Sequence, residues 1–272
     1  MLLKIPLLKD IRCPKCQRSL KTSQEFDVHE EITATTLFCE KGHTWEVIDG
    51  IPSLVHPRIS SEDERWIKEY DEQAENYDEL IKQYDEWLGI DLMKEREDFT
   101  HFIKIEGPAR IIDVSVGTAA NFQALYNHFK GKQMGRFDLH GLDVARGMLN
   151  VAKSKMVSRG IDVSLCHGNV FNIPYRDDLF DIVLHSGGIN TFSDISLGIR
   201  EMQRIAKPGG FVIIMDEGLS PQVRKTPRGE AIIKANSLFA TKPPLEYLPD
   251  NIKDLEVSYV LNGTFYQIVF RK

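Results

Sequence analysis

The second half of the chain alternates short apolar runs with stretches whose apolar residues recur every three to four positions. The runs are RIIDVSV (110–116), FDLHGLDV (137–144), VSLCHGNV (163–170), FDIVLHSG (180–187) and FVIIMDEG (211–218). Short, apolar and punctuated by glycine, they read as strands buried on both faces. Between them, 119–129, 146–160 and 195–206 carry a helical period, and the turn KPGG (207–210) introduces the fifth strand. Strands and helices in this rhythm predict βαβ units and a doubly wound, parallel α/β sheet. The alternation then breaks. LEVSYVL (255–261) and TFYQIVFRK (264–272) flank Asn262-Gly263, which suits a type I′ turn, so an antiparallel hairpin ends the chain.

Upstream the pattern differs. In 61–98, Trp66, Tyr70, Tyr77, Leu80, Ile81, Tyr84, Trp87 and Leu88 recur at helical spacings, with Ser60 or Ser61 as a cap. This predicts two amphipathic helices packing their aromatic faces on the following domain. Helices that lead into an α/β domain can fold over its cleft, which brings Tyr70 or Tyr77 within reach of a ligand. Earlier still, EITATTLFC (31–39) and TWEVIDGIPSLV (44–55) read as strands, the second turning at Asp49-Gly50. The expected division is an N-terminal module over 1–58, a helical linker or cap over 59–106 and the main domain over 107–272.

Composition narrows the class. A chain of 272 residues with 42% apolar side chains can build one α/β domain and a small module. Lys4, Pro6 and Lys9 interrupt the N-terminal MLLKIPLLKD, and no run of 18 apolar residues exists, so neither a signal peptide nor a membrane span is expected and the location reads as cytoplasmic. The net charge of −6 is uneven: residues 61–100 hold five basic against 15 acidic side chains. Such a segment repels a phosphate backbone, so charge gives no support for nucleic-acid binding.

Three of the four cysteines carry chemistry. Cys13-x2-Cys16 and Cys39-x3-His43 stand 22 residues apart, and each pair spans a tight turn. Two such turns bring four soft or borderline ligands together in the tetrahedral set that Zn²⁺ takes. With all four positions filled by protein, the zinc is structural, and a module this small usually needs it. The plain alternative is a reduced thiol cluster. His29 competes with His43 but lacks the glycine-turn context. Cys166, inside a predicted strand, reads as a small buried apolar residue.

With these stretches in view, residues 66–272 resemble S-adenosylmethionine-dependent class I methyltransferases, especially the ubiquinone/menaquinone C-methyltransferase-like group. YDEQAENYD (70–78), IIDVSVGTA (111–119), HGLDVARGML (140–149), HGNVFNIPYRDDLFDIVLHSGGINTF (167–192) and EMQRIAKPGGFVIIMDEG (201–218) carry the likeness. The N-terminal module looks like the zinc-binding domain fused to some relatives, including the ribosomal RNA guanine methyltransferases. The resemblance implies a Rossmann-like seven-stranded sheet with a small zinc-ribbon-like module and S-adenosylmethionine as cofactor.

It also assigns residues. The family's loop after the first strand is acidic-x-Gly-x-Gly-x-Gly, and here stand Asp113, Ser115, Gly117 and Ala119. Gly117 keeps the place of closest backbone approach, while Ser115 and Ala119 are departures that stay small. Asp143 is placed to accept both ribose hydroxyls, or else caps the helix that follows. Met148 and Leu149 would flank the adenine, Asn169 would accept from its amino group, and the Val170 N–H would serve the ring. Ser186 belongs to the same cofactor set at the fourth strand's end. His185 is the candidate general base, or a structural histidine. Asn190, Asp216 and Glu217 would hold acceptor or methionine groups, or cap strand ends. Arg224, Lys225, Arg228, Lys234 and Lys242 lie in an insert that covers the acceptor pocket in the family. The leading function is methyl transfer to a small-molecule or lipid-like acceptor. An RNA base methyltransferase gripping a stem-loop through the zinc module, and a non-catalytic S-adenosylmethionine- or protein-binding chain, are the alternatives. The Asn-Pro-Pro-Tyr motif and the cysteine pair of two base-methylating classes are absent.

Overall fold

The computed structural model describes residues 3–24, 27, 31–57, 59–98, 107–129 and 132–272; His29 lies outside them. Four short strands of the N-terminal region form one sheet: β1 (Lys21–Thr22), β2 (Thr35–Phe38), β3 (Thr44–Ile48) and β4 (Ile51–Pro52), paired antiparallel in that order. Ile48 pairs with Ile51 across Asp49 (φ 53°) and Gly50 (φ 77°), the two left-handed residues of a tight hairpin. The strand expected over 31–39 is split, because Glu31–Ile32 pairs separately with Leu3–Lys4.

The linker forms three helices rather than two: α1 (Ser61–Gln73), α2 (Tyr77–Leu88) and a short α3 (Leu92–Asp98). Ser60 is the cap of α1, its Oγ accepting from the Asp63 N–H at 3.1 Å. Gly89, at φ 62° and ψ 43°, ends α2 in the left-handed conformation that glycine adopts without strain.

The main sheet contains β5 (Ala109–Val114), β6 (Phe137–Asp143), β7 (Val163–His167), β8 (Phe180–Ser186), β9 (Ala206–Glu217), β10 (Lys253–Val260) and β11 (Phe265–Arg271). Its seven strands run in the order β10-β11-β9-β8-β5-β6-β7. The first five pair in parallel, and β11 lies antiparallel between β9 and β10. Crossovers are made by α4 (Ala120–His128), α5 (Arg146–Ser158) and α6 (Ile195–Ile205), while α7 (Pro221–Arg224) and α8 (Pro227–Ala235) sit in the insert before β10. The KPGG turn is an excursion within β9: Phe180 pairs with Ala206 but Ile182 with Phe211, so Lys207 to Gly210 are looped out. In the final hairpin Asn262 (φ 58°) and Gly263 (φ 80°) are the central turn residues, closed by the Thr264 N–H on Leu261 O at 3.2 Å.

Alternate strand residues face two apolar layers. Ile111, Ile182, Leu184 and Ile213 meet Phe122 of α4 and Leu149, Ala152 and Met156 of α5. Ile112, Val114, Val183, Val212 and Ile214 meet α6 and also Leu7, Ile11, Leu37, Val47 and Leu54. The N-terminal residues therefore share the sheet's core. Backbone bonds follow: the Leu54 N–H donates to His167 O (2.7 Å), and the Arg12 N–H to Pro174 O (2.9 Å). Asp10, buried at this seam, accepts from Arg110 (2.5 Å) and Arg176 (3.1 Å).

Candidate functional site

The ends of β5, β6, β7 and β8 open into a cleft of about 1050 Å³, mouth included, walled on the outside by α1 through Asp63, Trp66, Ile67 and Tyr70. The position follows from topology. The strand order turns back between β5 and β8, and loops leaving the two strands diverge to leave a crevice.

Its floor is the loop after β5. Ser115, Gly117 and Ala119 have φ of 62°, 52° and 64°, so three alternate residues are left-handed. This explains why a loop of this shape favours glycine at all three places. A Cβ on Gly117 would meet no atom within 4 Å, so there the demand is conformational, not steric. Ser115 and Ala119 hold the same backbone with a side chain, which costs about 1–2 kcal/mol each. The Gly117 N–H donates to Asp143 Oδ2 (2.8 Å) and the Ala145 N–H to Asp143 Oδ1 (2.9 Å). Burial pushes the Asp143 carboxyl up to about 6 against the pull of these N–H groups.

Of the residues expected to hold cofactor, Ser115, Gly117, Asp143, Met148, Asn169, Val170 and Ser186 all line the cleft. Asn169 Oδ1 accepts from the Phe171 N–H at 2.9 Å. Ser186 Oγ is buried without a partner. Tyr70 and Tyr77 line the cleft together, ring centroids 6.0 Å apart, and burial pushes the Tyr77 hydroxyl up to about 12, so it stays a donor. Leu149 is not in the lining but packs in the core.

Asp113 and His185 lie behind the lining. Asp113 is 1% exposed, accepts from Asn121 Nδ2 (3.0 Å), and is pushed up to about 8 by burial. The His185 ring is 1% exposed and packs on Phe192. Its Nδ1 sits 2.8 Å from Val114 O, a carbonyl that can only accept, so Nδ1 carries the proton. Burial holds its pKa down at about 4, leaving a neutral ring. Asp216 is fully buried and accepts from the backbone N–H groups of Gly188, Asn190 and Glu217, which ties down the loop after β8. Asn190 is engaged on both sides, donating to Glu217 O and accepting from the Tyr266 hydroxyl. In the insert, Arg224 bonds Ala240 O and Thr241 O, and Arg228 bonds Leu88 O, so two of its five cations hold backbone. Sequence reasoning missed Arg96 and Asn121, both in the lining. Arg96 sits in an EREDF stretch that reads as a solvated face, and only its docking on α4 brings it inward.

The second constellation is compact. The ligand atoms of Cys13, Cys16, Cys39 and His43 lie within 4.8 Å of one another. Cys16 Sγ is 3.6 Å from Cys39 Sγ, and His43 Nδ1 is 3.5 Å from Cys13 Sγ and 3.4 Å from Cys39 Sγ. Tetrahedral Zn²⁺ with ordinary bond lengths would separate such ligands by roughly 3.4–3.8 Å, so the four groups fit the ion. The Trp45 Nε1–H donates to Cys13 Sγ at 3.4 Å. Trp45 also lines an open groove that meets the cleft at Ile59, Ile67 and Val144.

A family model described as the ubiE/COQ5 methyltransferase family matches residues 60–224. A demethylmenaquinone methyltransferase of Geobacillus kaustophilus (strain HTA426) is 32% identical over 126 residues, covering 46% of this chain and 52% of the relative. The chain thus spans about half the length of this curated relative. A second demethylmenaquinone methyltransferase, from Bacteroides fragilis (strain YCH46), is 26% identical over 204 residues, covering 68% of this chain and 78% of the relative. Among solved structures, phosphoethanolamine N-methyltransferase 2 of Haemonchus contortus, in complex with S-adenosyl-L-methionine, shares the fold with a TM-score of 0.58 at 14% identity, over 84% of this chain and 63% of that one.

Proposed function

Since the chain belongs to the ubiE/COQ5 methyltransferase family, we propose that it transfers a methyl group from S-adenosylmethionine to a small, quinone-like acceptor. The observation that carries this reading is the cleft at the strand ends, where Asp143 is bonded to the Gly117 loop and Asn169, Val170 and Met148 form the far wall. The cofactor supplies an activated sulfonium methyl when bound, and the remaining task of the protein is alignment. Asp143 accepts from the backbone N–H groups of Gly117 on Oδ2 and Ala145 on Oδ1, and in the cleft lining it is placed to accept ribose hydroxyls as well. Asn169 Oδ1, fixed by Phe171, has a second lone pair for an amino group of the adenine. Beside Gly187 and Gly188 the lining includes Ile59, Trp66 and Phe192 together with Asp63 and Thr191, and its apolar share suits a flat acceptor.

We assign His185 to the floor of the site instead of the general-base role. A neutral ring fixed to Val114 O behind the lining does not reach an acceptor. Cys13, Cys16, Cys39 and His43 hold Zn²⁺ in this reading, closed to further ligands and therefore structural. No helix among the described residues is long and apolar enough to cross a membrane.

The test begins with calorimetric titration of S-adenosylmethionine and S-adenosylhomocysteine, beside Asp143→Ala. Micromolar binding that the variant loses supports the cofactor site, and wild-type protein that binds neither ligand sinks the reading. Transfer of labelled methyl to a demethylated naphthoquinol then identifies the acceptor class, and metal analysis of the purified chain should give one zinc per molecule.

A further inference from the structure

The part of the cleft assigned to the base is one tight turn after β7. Asn169, Val170 and Phe171 line the cleft, and the turn is closed by the Asn172 N–H on Asn169 O (3.1 Å) and the Phe171 N–H on Asn169 Oδ1 (2.9 Å). Asn172 itself is not in the lining. Both N–H groups and the oxygen of its side chain are spent on the N-terminal residues. Nδ2 donates to Pro14 O (2.8 Å) and His56 O (2.9 Å), and Oδ1 accepts from Gln17 Nε2 (3.1 Å).

Pro14 and Gln17 belong to the turn that presents Cys13 and Cys16, two of the thiols proposed above as metal ligands. The N–H groups of Cys16 and Gln17 both return to Cys13 O (3.2 and 2.7 Å), and Gln17 stands in the left-handed region at φ 58°. A second tie from the same region reaches the strand ends instead. His167 Nε2 donates to Val144 O (3.0 Å), a carbonyl that can only accept, so Nδ1 accepts from the Ser53 hydroxyl at 2.9 Å. A short 3₁₀ turn has poor hydrogen-bond geometry of its own, so the orientation of 169–171 depends on what holds it from outside. Reading a base edge is directional, and a turn free to tilt would still admit a base but would no longer discriminate.

We propose that Asn172 is a positioning residue: it fixes the 169–171 turn against the Cys13–Cys16 turn, so that Asn169 and Val170 select adenine. This rests on the S-adenosylmethionine reading and assigns base selectivity to a residue that touches no ligand. The order of the Cys13–Cys16 turn then governs how well the base is read, besides how stable the chain is.

The experiment uses the full chain and two probes, S-adenosylhomocysteine and S-inosylhomocysteine, in which a carbonyl oxygen replaces the exocyclic amino group. Wild-type protein should prefer the first by about tenfold or more, because that oxygen would face Asn169 Oδ1 and the ring N1 would turn a proton toward the Val170 N–H. Asn172→Leu should weaken S-adenosylhomocysteine by about three- to tenfold and leave S-inosylhomocysteine within about twofold. Gln17→Ala should shift the preference in the same direction by about two- to threefold, and the double variant should be no worse than Asn172→Leu alone. Ser53→Ala, which cuts the tie to the strand ends, should leave the preference unchanged. Thermal unfolding of each variant is checked first; Gln17 is exposed, so its variant carries the test if Asn172→Leu does not fold. Equal weakening of both probes, no shift in preference, or the same shift in Ser53→Ala overturns the positioning role while the cofactor reading stands. Wild-type protein that binds neither probe overturns both.

Discussion

The two candidate sites are opposites in how they treat their polar atoms. Around Cys13, Cys16, Cys39 and His43 the ligand atoms face one another, and Trp45 adds a donor to one thiol. The cleft instead leaves Ser186 Oγ, Arg96 Nε and Asn121 Oδ1 buried and unpaired in its lining. A site whose groups converge on a single point has room for an ion and nothing else. A site whose unpaired groups are spread along a crevice is built for an extended ligand. The contrast separates a support from a workplace without reference to any motif.

The largest expected effect breaks the support. Cys39→Ser should lower stability by about 3 kcal/mol or more, a fall in melting temperature of roughly 6–12 °C by scanning calorimetry. Strong chelators should reproduce that fall in the wild type and add nothing to the variant. Next comes the workplace. Asp143→Ala should weaken S-adenosylhomocysteine by about tenfold or more, the loss expected when a charged partner is removed, while the melting temperature changes much less than for Cys39→Ser. A chain in which the two variants had similar effects on both readouts would abolish the distinction.

Acidity sharpens the comparison further. Asp113 keeps its proton up to about pH 8 in the folded protein, against an ordinary value of 3.8. The folded state then binds more protons than the unfolded chain between those values, so stability present at low pH is lost as the pH rises through 8. Asp143 adds the same slope up to about 6. Denaturant titrations at several pH values should show stability falling between pH 6 and 8, and Asp113→Asn should flatten that interval. A wild-type curve that rises there would remove the raised carboxyl from the account. The smallest effect is at Ser115. Glycine relieves the left-handed strain but loosens the unfolded chain, so Ser115→Gly should stabilise by about 0.5–1 kcal/mol. Ala119→Gly should be closer to neutral, since Ala119 is fully buried and its methyl packs in the core.

Much of this was legible because two periodicities survive in the chain. The five apolar runs became β5 to β9, and Asn262-Gly263 made its turn, since in each case local preference and burial agree. The residues around Gly117 and Asp143 could be placed because they sit at strand ends, which topology brings together. What sequence withheld depends on tertiary docking. Arg96 lies among acidic neighbours in a seven-residue helix, and nothing local says that α3 packs against α4. The division at residue 58 looked natural from composition, yet Ile11 and Leu54 pack into the layer that holds Ile112 and Val114, a contact between segments far apart in the chain.

That shared layer has a consequence for how the molecule opens. The Leu54 N–H is held by His167 O, at the end of β7, and Asp10 is clasped by Arg110 and Arg176 from the main domain. The amides of Ile51, Ser53 and Leu54 should therefore exchange with deuterium only when the sheet itself gives way, in step with those of β7 and slower than those of α1, which has no buried residue. The described N-terminal residues would then melt as part of one cooperative unit, and a zinc ion held there, as proposed, would set the unfolding temperature of a cleft on the other side of Trp45.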